Sequence, residues 1–396
     1  MNLTLEIEKN VYGGDGLARL RDGRVVFVEG SFAGETVTVE LITEKRHFVR
    51  VRLVDILKRH PGRLAEEPRP IPGMVYAPID FSTECALKRA QLEEFLSRAR
   101  IEHPIIPEIP QIGTMLNYRN KVIHHFDAKN PGCIGYRMEP SHTILDMPND
   151  PLACPEINAA LPSIRAHVKG LLTNSPKAVQ RELAKDGRVT IRYSALTGLA
   201  WWVGKAPSDQ VLREKTCKVS FQVPADGFYQ VNPAVGEELV KTVKAHYEKL
   251  RAEVPYILDL YCGVGVFGLC CHPEKLTGIE SGRAAIEAAK HNAVTAGQPT
   301  AQFRVGQVGR VIRHLAIDEK TAVIIDPPRG GLEPGVAEAL LQKAPRVIFS
   351  ISCDPATLTR DLKILTKGYQ ITHIQAFNMF PRTASFETLV ILTKRN

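Results

Sequence analysis

The chain divides by the rhythm of its apolar positions. From residue 1 to about 57, apolar and polar residues alternate in LTLEIEKNV, RVVFVEG and ETVTVEL, the period-two pattern of half-buried strands, with turn signals such as Asp22-Gly23 between them. Short strands joined by glycine turns over roughly 60 residues predict a small β-barrel of the kind that binds oligonucleotides. The run HFVRVRLVDILK predicts a further, basic strand on its surface. Pro61, Pro68, Pro70, Pro72 and Pro78 then interrupt any helix or central strand, which predicts a linker over 61–80.

Between about 75 and 224 the pattern is mixed. ECALKRAQLEEFLSRAR has helical spacing, residues 163 to 173 suggest another helix, and RVTIRYSALTGLAWWVG predicts a hairpin turning at Thr197-Gly198. From 225 to 396 the pattern becomes regular. The apolar runs YILDL, LTGIE, AQFRVG, TAVIID and RVIFSIS alternate with helical stretches such as SGRAAIEAAKHNAVTAG. That alternation predicts a doubly wound, mostly parallel α/β sheet. Two last strands, near 369–378 and 387–394, are joined by too few residues for a crossover helix, so they should pair antiparallel at the sheet edge.

Composition narrows the function. The chain has 396 residues, with Lys plus Arg exceeding Asp plus Glu by 51 to 43, a formal charge of +8 that favours a polyanionic partner. The excess is uneven: from Lys45 to Arg63 seven basic residues face the single acid Asp55. Tyr118, Arg119, Asn120 and Lys121 form a second cluster able to stack on and clamp a nucleic acid strand. MNLTLEIEKN lacks the features of a signal peptide, and no run of ~18 apolar residues could span a bilayer, so a cytoplasmic protein without membrane contact is expected. Its eight scattered cysteines suit reduced thiols, and a monomer is expected.

The chemistry should sit where the parallel strands end, since open α/β sheets bind ligands in the crevice beyond their C-terminal edges. After the first such strand comes DLYCGVGVFG, which fits either a dinucleotide or S-adenosylmethionine. Glu280, ending the next strand, could accept from a ribose diol in either case. Asp326 is followed by Pro327-Pro328, a rigid lip. One strand later Cys353 ends an apolar run, and Glu387 begins the last strand. A thiol and two carboxyls opening toward one crevice suggest chemistry at a poor nucleophile such as uracil C5. Thiolate addition at C6 activates C5 toward a methyl sulfonium, and a base then removes the C5 proton. The helix beginning at Pro355 is expected to lower the thiol pKa. A stacked base cannot reach such a pocket, so the nucleotide must be flipped out or presented in a loop. An exocyclic amino-methyltransferase is the nearest rival, but Arg329 stands where such sites place a stacking aromatic. A non-catalytic RNA-binding or ribosome-assembly factor is the alternative of another class.

FYQVN (228–232), DLYCGVGVFGL, IIDPPRGGL, SCDPATLTRDL and MFPRTASFET together resemble the RNA uracil-5-methyltransferases that carry an N-terminal TRAM barrel, in particular the 23S ribosomal RNA branch. The resemblance spans nearly the whole chain. It implies a Rossmann-like class I methyltransferase domain at 225–396, a TRAM, OB-like barrel at 1–57 and an α+β substrate-recognition domain at 75–224. It also implies Cys353 as nucleophile, Glu387 as base, and Gln230, Tyr261, Glu280 and Asp326 around S-adenosyl-L-methionine. The barrel points to ribosomal RNA, tRNA being the alternative. Val266, Gln307 and Asn378 depart from the residues that many relatives carry. Many relatives also hold a [4Fe–4S] cluster on four cysteines. Here only Cys85 is kept, while Tyr76, Ser82 and Asp150 take the other places, so no iron–sulfur cluster is expected.

Overall fold

The computed structural model describes residues 2–45, 48–68, 71–127, 130–138 and 141–395; Arg46 of the basic stretch and Pro70 of the proline-rich stretch lie outside them. The alternating N-terminal pattern becomes β1 (Asn2–Glu6), β2 (Lys9–Asn10), β3 (Gly16–Arg19), β4 (Val25–Val28), β5 (Thr36–Glu44) and β6 (Phe48–Lys58). They form a barrel-like sheet of order β1-β5-β6-β4-β3-β2. Its inward positions, Leu5, Val26, Val28, Val37, Val39, Val49 and Val51 among them, make a small separate core.

The proline-rich stretch is no free linker. Its prolines do keep it irregular, yet the apolar residues between them, Ile71, Met74, Tyr76, Ala77 and Ile79, are all buried. The side chain of Arg63, counted with the basic surface, is also buried: its Nε lies 2.6 Å from Glu35 Oε1, which binds this segment to the barrel. An arginine paired that way cannot meet phosphates.

Helix α1 (Phe81–Arg98) starts on Asp80, whose carboxylate caps Thr83 N at 2.7 Å. Beyond it, β7 (Lys121–Asp127), β8 (Asn130–Arg137), β9 (Ile144–Asp146), α2 (Pro155–Asn174), α3 (Lys177–Asp186), β10 (Arg188–Ser194) and β11 (Gly198–Val203) build a sheet of order β11-β10-β7-β8-β9. Helix α2 covers that sheet with Ile157, Leu161, Ile164 and Val168. It begins eight residues before the expected Ser163, running through Pro162. A hairpin follows, β12 (Val211–Thr216) and β13 (Val219–Pro224).

The remaining elements are α4 (Pro233–Leu250), β14 (Tyr256–Leu260), α5 (Val266–Cys271), β15 (Lys275–Glu280), α6 (Arg283–Thr295), β16 (Gln302–Val305), α7 (Val308–Val311), β17 (Thr321–Ile325), α8 (Val336–Lys343), β18 (Val347–Ser352), α9 (Pro355–Leu365), β19 (Tyr369–Phe377) and β20 (Glu387–Lys394). The sheet order is β16-β15-β14-β17-β18-β20-β19. The first five strands are parallel, and β20 enters antiparallel between β18 and β19. Chain order reverses between β14 and β17, which opens the ligand crevice there.

Two apolar layers cover this sheet. One takes Phe221 and Val223 from the β12–β13 hairpin along with α4, α5 and α6. The other takes Leu92 and Leu96 of α1 beside Leu340, Leu358 and Leu362. Both α1 and the hairpin, grouped by sequence with the middle segment, therefore complete the C-terminal core. No helix among the described residues is long and apolar enough to cross a membrane.

Candidate active site

Register places the site. The last paired row of the parallel ladder joins Leu260 to Ile279 on one side and Ile325 on the other, so the next residues are Tyr261, Glu280 and Asp326. On the antiparallel side the final pair is Ser352 with Thr388, so the next opposed positions are Cys353 and Glu387. Tyr261, Asp326 and Cys353 thus stand one step past the end of a hydrogen-bonded strand, while Glu280 and Glu387 are the end residues of β15 and β20, still paired with Val305 and Phe377.

The turn after β14 shapes the floor of that crevice. Tyr261, Gly263 and Gly265 have φ of 62°, 54° and 86°. At Gly265 a Cβ would lie 3.0 Å from Leu269 and 3.1 Å from Phe303, so only glycine fits. The resulting cleft, about 550 Å³ with its open mouth included, brings together Gln230, Tyr261 and Asp326 with the apolar Val264, Val266 and Phe267. An apolar trough with a few polar ends fits a nucleoside carrying an amino-acid arm. Glu280 does not line this cleft. Its Oε1 accepts from Ser281 Oγ at 2.9 Å and Gly282 N at 2.7 Å, at the end of the adjoining strand.

Electrostatics around Cys353 run against one expectation. The Cys353 thiol is pushed up to about 12 by burial first and then by the Glu387 and Asp326 carboxyls, with Arg329 opposing. The helix start does not lower it. Asp354 accepts from Ala356 N at 2.9 Å and Thr357 N at 3.0 Å, so the first-turn amides of α9 answer that carboxylate and not the sulfur. Burial also raises Asp326 to about 7. Glu387 is raised well above the usual carboxyl range by burial and by Asp326, against Arg329. Two carboxyls sharing so dry a place cannot both ionise freely.

Three further residues stand near the site. Arg329 supplies the opposing positive charge and follows the Pro327-Pro328 lip. Phe228 stands 65% exposed at the cleft mouth. Tyr12 reaches the crevice from the barrel. Phe228 lies inside the FYQVN motif, two residues before Gln230, whereas Tyr12 carries no local mark in the sequence.

Cys85 and the residues at the other three places considered for a cluster each have partners of their own. Tyr76 is buried against Gln91, Ser82 bonds Asp80, and Asp150 is held by His124 and Tyr136. Cys85 accepts from Asn378 Nδ2 at 3.7 Å.

Residues 2–54 match the TRAM domain, and residues 310–395 match the tRNA (Uracil-5-)-methyltransferase family. A Chromohalobacter salexigens protein named 23S rRNA (uracil(1939)-C(5))-methyltransferase RlmD is 29% identical, with 98% of this chain and 89% of that protein aligned. Over nearly its whole length the chain is thus similar to TRAM-bearing RNA uracil-5-methyltransferases. A Thermotoga maritima relative, named only as an uncharacterized RNA methyltransferase, is 26% identical over 98% of both chains. The Pyrococcus abyssi tRNA (uracil-54, C5)-methyltransferase in complex with S-adenosyl-L-homocysteine shares the fold, with a TM-score of 0.74, 22% identity and coverage of 98% of this chain and 99% of that one. As an RNA uracil-5-methyltransferase the chain is an S-adenosylmethionine-dependent enzyme with RNA as its substrate.

Proposed function

We propose that this methyltransferase modifies C5 of a uridine in 23S ribosomal RNA through a covalent bond between Cys353 and C6 of the base. The observation that carries the mechanism is the opposition of Cys353 and Glu387 at the end of one antiparallel ladder, with Asp326 beside them. The substrate class is supported by the barrel and by the name of the Chromohalobacter relative.

In this reading Gln230, Tyr261, Glu280 and Asp326 hold the donor. S-adenosylmethionine supplies the electrophilic methyl group, and its positive charge favours ionisation of the thiol and carboxyls around it. Cys353, its proton lost to solvent, adds to C6 and pushes the electron pair of the C5–C6 double bond toward O4 and C5, so C5 becomes nucleophilic. After C5 is methylated, the Glu387 carboxylate takes the C5 proton. That electron pair re-forms the double bond as the C6–S bond breaks and the thiolate leaves. The apolar crevice excludes water, which would otherwise protonate C5 before the methyl arrived.

The test is methyl transfer from labelled donor to unmodified 23S ribosomal RNA and, in parallel, to unmodified tRNA. Label in 5-methyluridine of the ribosomal RNA, lost in Cys353→Ala, is the expected result. Label in tRNA alone would assign the other substrate, and label retained by Cys353→Ala would overturn the covalent mechanism.

A further inference from the structure

Glu387 is buried, and among the described residues its Oε2 has no hydrogen-bond partner. Its direction is therefore set by the packing of the loop before it, residues 378–386. The first half of that loop is gripped by α1: Glu84 accepts from Asn378 Nδ2 at 2.8 Å and from Arg382 N at 3.0 and 3.1 Å. The second half, Ser385 and Phe386, is met by the barrel.

That contact is Tyr12, in the β2–β3 loop. Its ring meets Phe386 edge-on, with centroids 6.2 Å apart and planes at 89°. Behind it stands Phe95 of α1, at 5.8 Å and 87°. Its hydroxyl lies beside Ser385 and within electrostatic reach of Asp354, Cys353 and Arg329. The loop is firmly seated. Val11 O accepts from Gln91 Nε2 at 3.2 Å, Lys9 pairs with Glu94 at 2.5 Å, and a Cβ on Gly14 would meet Val75 at 2.5 Å. Phe386 is fully buried, so a ring removed from its flank leaves a gap it can relax into.

We propose that Tyr12 is a positioning residue for methyl transfer: the barrel wedges Phe386 and Ser385 so that Glu387 faces Cys353. The barrel is then part of the catalytic apparatus as well as an RNA-binding unit. The inference rests on Glu387 acting as the base. A displacement of that carboxylate by an ångström should slow C5 proton removal roughly 10²-fold.

The experiment compares full-length wild type, Tyr12→Phe, Tyr12→Ala and Phe386→Leu on RNA bearing uridine or 5-deuterouridine. Tyr12→Phe keeps the wedge and should turn over within about threefold of wild type. Tyr12→Ala should bind donor normally and lose kcat, with its RNA KM falling alongside because adduct accumulates. It should also show an enlarged deuterium effect and accumulate methylated protein–RNA adduct, because proton removal has become limiting. Phe386→Leu opens the same gap from the catalytic side and should reproduce the deuterium effect if Tyr12→Ala folds poorly. An unchanged kcat and deuterium effect in both variants overturns the proposal, as does a rise in RNA KM alone, which would make Tyr12 an RNA contact. Failure of Glu387→Gln to accumulate adduct would instead overturn the assignment of the base.

Discussion

Cys353 holds its proton in the free protein because burial and two neighbouring carboxyls all disfavour a thiolate there. The sign of the pH dependence follows. A thiol raised to about 12 is protonated at neutral pH, so each unit of increase below that value should raise the thiolate fraction about tenfold. The kcat/KM for RNA, measured at subsaturating donor, should accordingly climb through pH 7 to 9. A plateau already reached by pH 7 would show that the thiol is not held back. In the proposed mechanism Glu387 must likewise be ionised, at the next step, to accept the C5 proton. Glu387→Gln should add the thiol and methylate C5 yet release product slowly, so adduct should build up on ordinary uridine; normal turnover would place the base elsewhere. That Cys353 and Glu387 come to lie opposed at one sheet edge was legible from their places at the end of one apolar run and the start of another. The thiol pKa was not, since the capping by Asp354 and the neighbouring carboxyls depend on side-chain geometry.

Strands and helices of the C-terminal sheet were legible because their apolar runs are long and punctuated by glycine and proline. Helix α1 shows where such reading stops. Its spacing gave the helix, but nothing local said that Leu92 and Leu96 would join the core around α9. The same holds for the proline-rich stretch, where composition predicts irregular backbone correctly and says nothing of whether it is covered. The basic strand β6 keeps exposed Arg50 and Arg52, with Arg52 paired to Glu40, while Arg63 is withdrawn. Replacing Arg50 and Arg52 should shallow the salt dependence of RNA affinity by up to about 1 unit of log–log slope per lost phosphate contact. An unchanged slope would move the RNA path to the middle sheet. The α1 region also carries the iron prediction. With Tyr76, Ser82 and Asp150 engaged elsewhere, protein purified without oxygen should contain no stoichiometric iron; about four irons per chain would overturn that.

At the scale of the molecule, three units meet at the proposed catalytic edge: the barrel through Tyr12, α1 through Glu84, and the sheet through Cys353 and Asp326. Contacts so distant in sequence leave no periodic trace, which is why the barrel reads locally as an RNA-binding unit and nothing more. Buried acids also tie global stability to pH. Glu214, beside Arg192, is pushed by burial from 4.5 to about 7. An acid raised on folding stabilises fully below its unfolded value, and that contribution is lost as pH rises through the folded one. Wild type should therefore lose, between pH 4.5 and about 7, roughly 3 kcal/mol that Glu214→Gln does not. Parallel stability curves for the two proteins would rule that out. The central claim, covalent catalysis at uracil by Cys353, is tested most directly with RNA containing 5-fluorouridine and S-adenosylmethionine. Fluorine cannot leave C5 as a cation, so after methyl transfer the enzyme should remain bonded to RNA, and peptide mapping should find the nucleotide on Cys353. Free enzyme with no adduct, or an adduct on any other residue, would contradict the account.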